Sequence, residues 1–377
     1  MNRSQVAHDF TNFLTTPATR RFMFVLAFVV ALGDSSVWLL ISWYKSIPLP
    51  ELYSHWDSGW YTKIVEQGYD GNSWAFFPLY PALLRFVQTI TGWILPTQIA
   101  GAILSSIIFL SFTWICSSKG LLDARNRIMV RPFSRGEWLM FMASPSAYVF
   151  HTSHTESLFL LLSVGAFIAV CFERPKWAAV FAGLCCLTRN QGVLVAIVVG
   201  IWATSIEKTN KRRLYAFVRS GLISAAFLAI FMGFLYFETE DPFKHLRSQQ
   251  AWAHGEVGNF RAIIQSFWMG NPWQPLTLGG IIHQIYFYIC IATTAYLWRL
   301  RDGKLAAIYV MLSLAIIPLQ TEMVDVFRFS AVVLPLQFAW GRIYNRQNFA
   351  VQLIVGILLL GLSISVTYNY GILKWAY

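Results

Sequence analysis

The sequence predicts an all-α, polytopic membrane protein, and three observations predict it. Of 377 residues, 56% are hydrophobic and only 12% charged, against about a quarter charged in an ordinary soluble domain. Apolar runs long enough to cross a bilayer recur along the chain. The basic residues behind a formal net charge of +11 fall in short clusters between those runs, which is how an orienting signal is laid out rather than a nucleic-acid surface. The expected surroundings are therefore a lipid bilayer, with no nucleic acid as partner.

Taken in order, the runs place membrane helices near 22–43, 97–116, 137–151, 156–172, 177–188, 191–206, 214–237, 275–298, 305–320, 329–343 and 349–370, about eleven in all. The polar stretch Met1 to Arg20 precedes an apolar run too long for a signal-peptide core, so no cleaved signal is expected. With the N-terminus in the cytoplasm, 20 of the 29 Lys and Arg fall on the inside, as the positive-inside rule requires. Merging 177–206 into one span would move Lys208 to Arg213 outside, so a tight hairpin is preferred there, and the C-terminus faces outward. Residues 1–377 read as one membrane domain, without internal repeat or linker. Its long outside loops are 44–96 and 238–274, and its tight ones 152–155, 189–190 and 321–328. The five cysteines, Cys116, Cys171, Cys185, Cys186 and Cys290, sit in or beside apolar segments, with no spacing for zinc or a loop disulfide.

The first outside loop carries His55-Trp56-Asp57-Ser58-Gly59-Trp60-Tyr61 and then Ala75-Phe76-Phe77-Pro78-Leu79-Tyr80-Pro81. Trp60, Tyr61, Ile64 and Val65 form a helical stripe closed by Gly68, which predicts a short interfacial helix. Asp57 at its start reads either as the N-cap or as a catalytic or substrate-binding carboxylate, and the two are compatible. Tyr69 to Asn72 reads as a turn, Phe76-Phe77-Pro78 as an aromatic wedge, and Pro81 permits a second short helix. Those aromatics suit an interfacial belt as well as a sugar platform.

Further along, Glu156 makes either a capping box with Ser153 or part of a site. Arg189 stands with Asn190 at the tip of the tight hairpin, where an arginine is costly unless paired or bound to an anion. Arg328 stands beside Asp325, either as its ion-pair partner or as a phosphate ligand. Two arginines in an outward half that otherwise avoids positive charge suit a lipid-linked phosphate, because guanidinium matches phosphate oxygens in a fork. Asp34, inside the first helix, reads only as a buried, hydrogen-bonded residue. The histidines show no metal-ligand spacing, so neither metal nor other cofactor is expected.

At these residues the chain resembles the PIG-V family, the GPI mannosyltransferase 2-like glycosyltransferases. The resemblance rests on Trp56-Asp57, Gly68-Tyr69, Ala75-Phe76-Phe77-Pro78 with Pro81, Ser144-Pro145, Thr155-Glu156-Ser157-Leu158-Phe159 and Thr188-Arg189-Asn190-Gln191-Gly192. Gln249-Gln250-Ala251-Trp252 and Arg328-Phe329 are similar too; Gln191 stands where the family has Asn. The resemblance implies a GT-C-like fold and transfer of a hexose, most often mannose, from a polyprenyl-phosphate donor. The acceptor would be a hydroxyl of a glycan, glycolipid or protein on the outer face, with inversion. It casts Asp57 as general base and Arg328 with Arg189 as the phosphate clamp. Trp56, Tyr61 and Phe77 would face the sugar or prenyl chain, and Thr155, Glu156, Asn190, Gln250 and Trp252 would complete the substrate contacts. A bacterial plasma membrane is expected ahead of the endoplasmic reticulum. The competing classes are a transporter or flippase of a lipid-linked sugar and a non-catalytic assembly subunit.

Overall fold

A computed structural model describes residues 16–118, 132–249, 278–301, 303–320 and 326–372. Apart from an isolated bridge between Pro17 and Ser134, the regular structure among them is helical. The α-helices are α1 (Arg20–Lys45), α2 (Leu49–Leu52), α3 (Asp57–Gln67), α4 (Leu79–Ile90), α5 (Thr97–Cys116), α6 (Arg135–Met142), α7 (Glu156–Cys171), α8 (Pro175–Cys186) and α9 (Gln191–Ser205). They continue with α10 (Asn210–Thr239), α11 (Lys244–Gln249), α12 (Leu278–Trp298), α13 (Lys304–Gln320), α14 (Val326–Ala331), α15 (Leu334–Tyr344) and α16 (Phe349–Gly371).

Among the described residues five helices are long and apolar enough to cross a membrane: α1, α5, α10, α12 from Ile281, and α16. The helices α7, α8, α9 and α13 are apolar but shorter, and the whole is a multi-pass membrane protein. Two expected single spans come out broken. Over 137–151 the helix ends at Met142 and only a 3-10 turn, Ala147–Phe150, follows; Pro145 lacks the N–H that would continue the ladder. Over 329–343, α14 stops at Ala331 and Pro335 opens α15. Both segments are apolar because protein, rather than lipid, surrounds them. Trp138, Phe141 and Phe150 are fully buried, and Phe109 stacks on Phe150 at 4.6 Å between ring centres.

The bundle has two distinct ends. At one, Ala18 N–H donates to Phe133 O at 2.8 Å, Arg20 Nε to Ser117 Oγ at 3.2 Å and Asn345 Nδ2 to Ser134 Oγ at 3.1 Å. The start of α1 thus meets the end of α5, the start of α6 and the end of α15. At the other end the α2–α3 region, the start of α7, the α8–α9 turn, α14 and the end of α16 converge. Two sequence features fix that second end. Asp34, buried in α1, accepts from the Thr367 hydroxyl at 2.9 Å while Trp38 Nε1 donates to Thr367 O at 3.2 Å, which locks α16 against α1. Gly192 lets α9 cross α8 backbone to backbone, since a Cβ there would lie 2.2 Å from Cys185 C and O.

Candidate active site

The site begins with a bend that its own residue disfavours. Trp56 holds φ 55°, ψ −125°, a left-handed conformation foreign to bulky side chains, and it flanks α3, which starts at Asp57. The N-cap reading of Asp57 is therefore corrected. Trp56 occupies the cap position, no side-chain cap bond forms, and Asp57 Oδ2 instead accepts from Arg328 Nη1 at 2.5 Å. At the other end Gly68, at φ 85°, closes α3 with its N–H on Ile64 O.

Glu156 starts α7, but Ser153 does not cap it. Thr155 is the flanking residue and makes no cap bond, while the Ser153 hydroxyl lies 3.3 Å from Tyr80 Oη. Fully buried, the Glu156 carboxylate receives Arg189 Nη1 and Arg328 Nε on the same oxygen, Oε1. Arg189 Nη1 also donates to Thr155 Oγ1 at 3.2 Å, and its guanidinium lies over Phe329 at 5.1 Å. Among the described residues Glu156 Oε2 and Arg189 Nε have no hydrogen-bond partner. Arg328 thus bridges two carboxylates, Asp57 and Glu156. Asp325, its expected partner, lies outside the described residues.

Two guanidinium groups on one oxygen repel each other, and only the paired carboxylates make the cluster tolerable in a buried place. The formal charges of Asp57, Glu156, Arg189 and Arg328 sum to zero. Asp57 is the solvent-facing member, its side chain 33% exposed against 4% for Arg328, and its Oδ1 makes no hydrogen bond to the described residues. The cluster can therefore offer a proton acceptor at its mouth and a pair of anion-binding cations behind it.

The other expected contacts divide. Tyr61 is buried, edge-on to Phe76 at 5.2 Å and Tyr80 at 5.4 Å. Burial, and then the Asp57 charge, hold its phenol above the usual range, so it remains a hydroxyl donor within reach of the four charges. Phe77 is buried, its ring centre 4.2 Å from the His245 ring and 5.9 Å from Phe231. Trp56 is half-buried. Asn190 pairs with Gln249 at 3.4 Å, and Gln249 Nε2 donates to His245 Nε2 at 3.1 Å. His245 Nδ1–H in turn points to Trp74 O at 3.0 Å, and burial pushes this imidazole down to about 4. Gln250 and Trp252, next along the chain, lie outside the described residues.

Three residues escaped the sequence reading. His154, buried beside Glu156, bonds Thr152 Oγ1 through Nδ1 at 2.7 Å; its adjacency to Thr155-Glu156 was the signal. His55 and Tyr370 bond each other three times, His55 N–H to Tyr370 Oη at 2.9 Å, His55 Nδ1 to Tyr370 O at 2.8 Å and Tyr370 O–H to His55 O at 3.4 Å. Among the described residues no group of three His, Cys, Asp or Glu is placed to hold a metal ion.

A family model described as Mannosyltransferase (PIG-V) matches residues 26–273, about two thirds of the chain. The chain belongs to the PIG-V mannosyltransferase family. No curated protein and no solved structure matches it. As a PIG-V family member the protein is a membrane glycosyltransferase of the mannosyltransferase type. Asp57, Glu156 and Arg189 fall within the span that matches. Arg328 falls beyond it, and the fold brings it to the other three.

Proposed function

We propose that this PIG-V family protein transfers mannose from a polyprenyl-phosphate donor to an acceptor hydroxyl, with inversion, at the outer face of a bacterial plasma membrane. The observation that carries the reading is Arg328, which joins the exposed carboxylate of Asp57 to the buried Glu156–Arg189 pair. Asp57 Oδ1 takes the proton of the acceptor hydroxyl as that oxygen attacks the anomeric carbon from the side away from the phosphate. The carbon–oxygen bond to phosphate breaks, its electron pair leaves with the lipid phosphate, and Arg328 with Arg189 balances the charge that develops there. A monophosphate carries less charge than a nucleotide diphosphate, so two arginines suffice. Thr155 and Asn190 border this phosphate pocket, and Tyr61 supplies a hydroxyl donor to the sugar. Trp56, Gln250 and Trp252 complete the substrate contacts.

The outward orientation is supported by the basic clusters near Arg20, Arg135 and Arg342, which gather at the end of the bundle opposite the site. A GT-C-like arrangement with up to eleven membrane passages is part of this reading, the short apolar helices included. A transporter would place its costly charges near the bilayer midplane, whereas here most of them gather at one end.

The test is transfer of radiolabelled mannose from polyprenyl-phosphate-mannose in membranes containing the protein. Label should enter an acceptor fraction with the opposite anomeric configuration. Label that crosses the membrane still attached to its lipid, with no new glycoside, would make the protein a carrier.

A further inference from the structure

Tyr370, at the end of α16 and beyond the span that the family model matches, holds the bend on which Asp57 is carried. Its hydroxyl accepts the His55 N–H at 2.9 Å and lies 2.9 Å from Ser58 Oγ. Its backbone carbonyl accepts His55 Nδ1–H at 2.8 Å. The Ser58 hydroxyl in turn donates to His55 O at 2.5 Å, which closes the bend across Trp56 and Asp57. Residues on both sides of Asp57 are therefore tied to one side chain from a distant helix. That side chain is fully buried and fixed from behind, with ring centres 4.6 Å from Tyr148 and 5.7 Å from Trp38. Meanwhile Asp34 and Thr367 hold α16 one turn earlier.

The bend needs such a hold. A non-glycine residue at φ 55°, ψ −125° relaxes toward extended or helical backbone unless its surroundings over-determine it, and relaxation of Trp56 would swing Asp57 away from Arg328. We propose that Tyr370 is a positioning residue for mannosyl transfer, acting through His55 and Ser58 to aim Asp57. The proposal rests on the reading of Asp57 as general base. It predicts an effect on the chemical step and none on donor affinity, because Tyr370 does not touch the arginines.

The experiment compares Tyr370→Phe, Ser58→Ala, the double variant and Asp57→Asn by transfer kinetics, donor binding and thermal melting. Tyr370→Phe keeps the packed ring and removes only the hydroxyl. Its kcat should fall about 10- to 100-fold, the scale of a sub-ångström to 1 Å misplacement, with donor KM and melting temperature close to the parent. Ser58→Ala should lose less, and the double variant less than the product of the two single losses, because the two hydroxyls share one hydrogen bond while each also holds His55 separately. The proposal is overturned by a Tyr370→Phe kcat within twofold of the parent, by a loss in donor KM instead, or by a loss that tracks melting and returns at lower assay temperature. Additive losses in the double variant also overturn it. An active Asp57→Asn defeats the reading of Asp57 itself, whereas an inactive Asp57→Asn beside a normal Tyr370→Phe defeats only the role of Tyr370.

Discussion

Removing a negative charge and removing a positive charge from the four-residue cluster should move donor affinity in opposite directions. Asp57, Glu156, Arg189 and Arg328 sum to zero, so Arg328→Ala leaves −1 and Glu156→Gln leaves +1. A unit charge 4 Å from a phosphate contributes about 4 kcal/mol at an effective dielectric of ~20. Because the cluster opens to solvent at Asp57, 33% exposed, roughly half of that survives, about 2 kcal/mol or ~30-fold in affinity. Arg328→Ala should therefore bind donor about 30-fold more weakly and Glu156→Gln more tightly by up to a similar factor. Glu156→Gln should nevertheless be the less stable protein, by about 3–5 kcal/mol, since two buried guanidinium groups lose their shared partner. Arg328→Lys should fall between parent and alanine, because an ammonium keeps the charge but cannot serve two carboxylates through a planar fork. Titration calorimetry with a short-chain polyprenyl-phosphate-mannose in micelles measures the affinities, and melting in the same detergent measures stability. The reasoning fails if Glu156→Gln weakens donor binding as Arg328→Ala does. It fails as well if Arg328→Ala binds like the parent and merely melts several degrees lower, which would make Arg328 a structural ion-pair partner and leave Arg189 as the phosphate ligand.

Asp57→Asn should stay folded, because its amide oxygen can still accept from Arg328, yet lose on the order of 100- to 10,000-fold in turnover; initial rates and a melt check both halves. His245 is buried and depressed from 6.5 to about 4, so between those values the unfolded chain binds a proton that the folded one refuses. Stability should fall as pH drops below 6.5, by about 3 kcal/mol near pH 4, and melts at pH 7 and pH 5 should differ less in His245→Gln than in the parent. Gly192→Ala places a methyl 2.2 Å from the Cys185 backbone and should cost about 1–3 kcal/mol, read as a lower melting temperature and a lower yield of folded protein. Cysteines placed at Asp70 and Lys211 should be labelled from opposite sides of sealed membranes, and labelling from the same side would overturn the proposed orientation.

Class and the costly residues were legible because hydropathy is additive along a chain and an intramembrane charge stands out against it. Asp57, Glu156, Arg189 and Arg328 each stood out that way, but their pairing did not. Arg328 lies 271 residues from Asp57 and 172 from Glu156, a distance no local pattern spans. The local patterns that were present pointed elsewhere, toward caps at Asp57 and Ser153, because an acid at a helix start satisfies the capping pattern whether or not it is used as a cap. The segments 137–151 and 329–343 came out broken for a different reason. Hydropathy registers that water is absent, and it cannot tell whether lipid or protein replaces it, so a buried, broken crossing reads as one continuous helix. Tyr370 gave no signal, since a tyrosine ending an apolar helix is ordinary in an interfacial belt.

The hairpin of α8 and α9 bears on the membrane itself. With 12 and 15 residues these helices are only about 18 and 22 Å long, and Trp177, Val193, Ile197 and Ile201 turn outward from them. A hydrocarbon layer of about 30 Å meets that wall with a thickness mismatch. Lipids beside it must shorten or tilt, at a cost of fractions of a kcal/mol per Å. Such thinning would lower the outer surface at the turn that carries Arg189. Bilayers of longer acyl chains should therefore raise the cost of housing this hairpin.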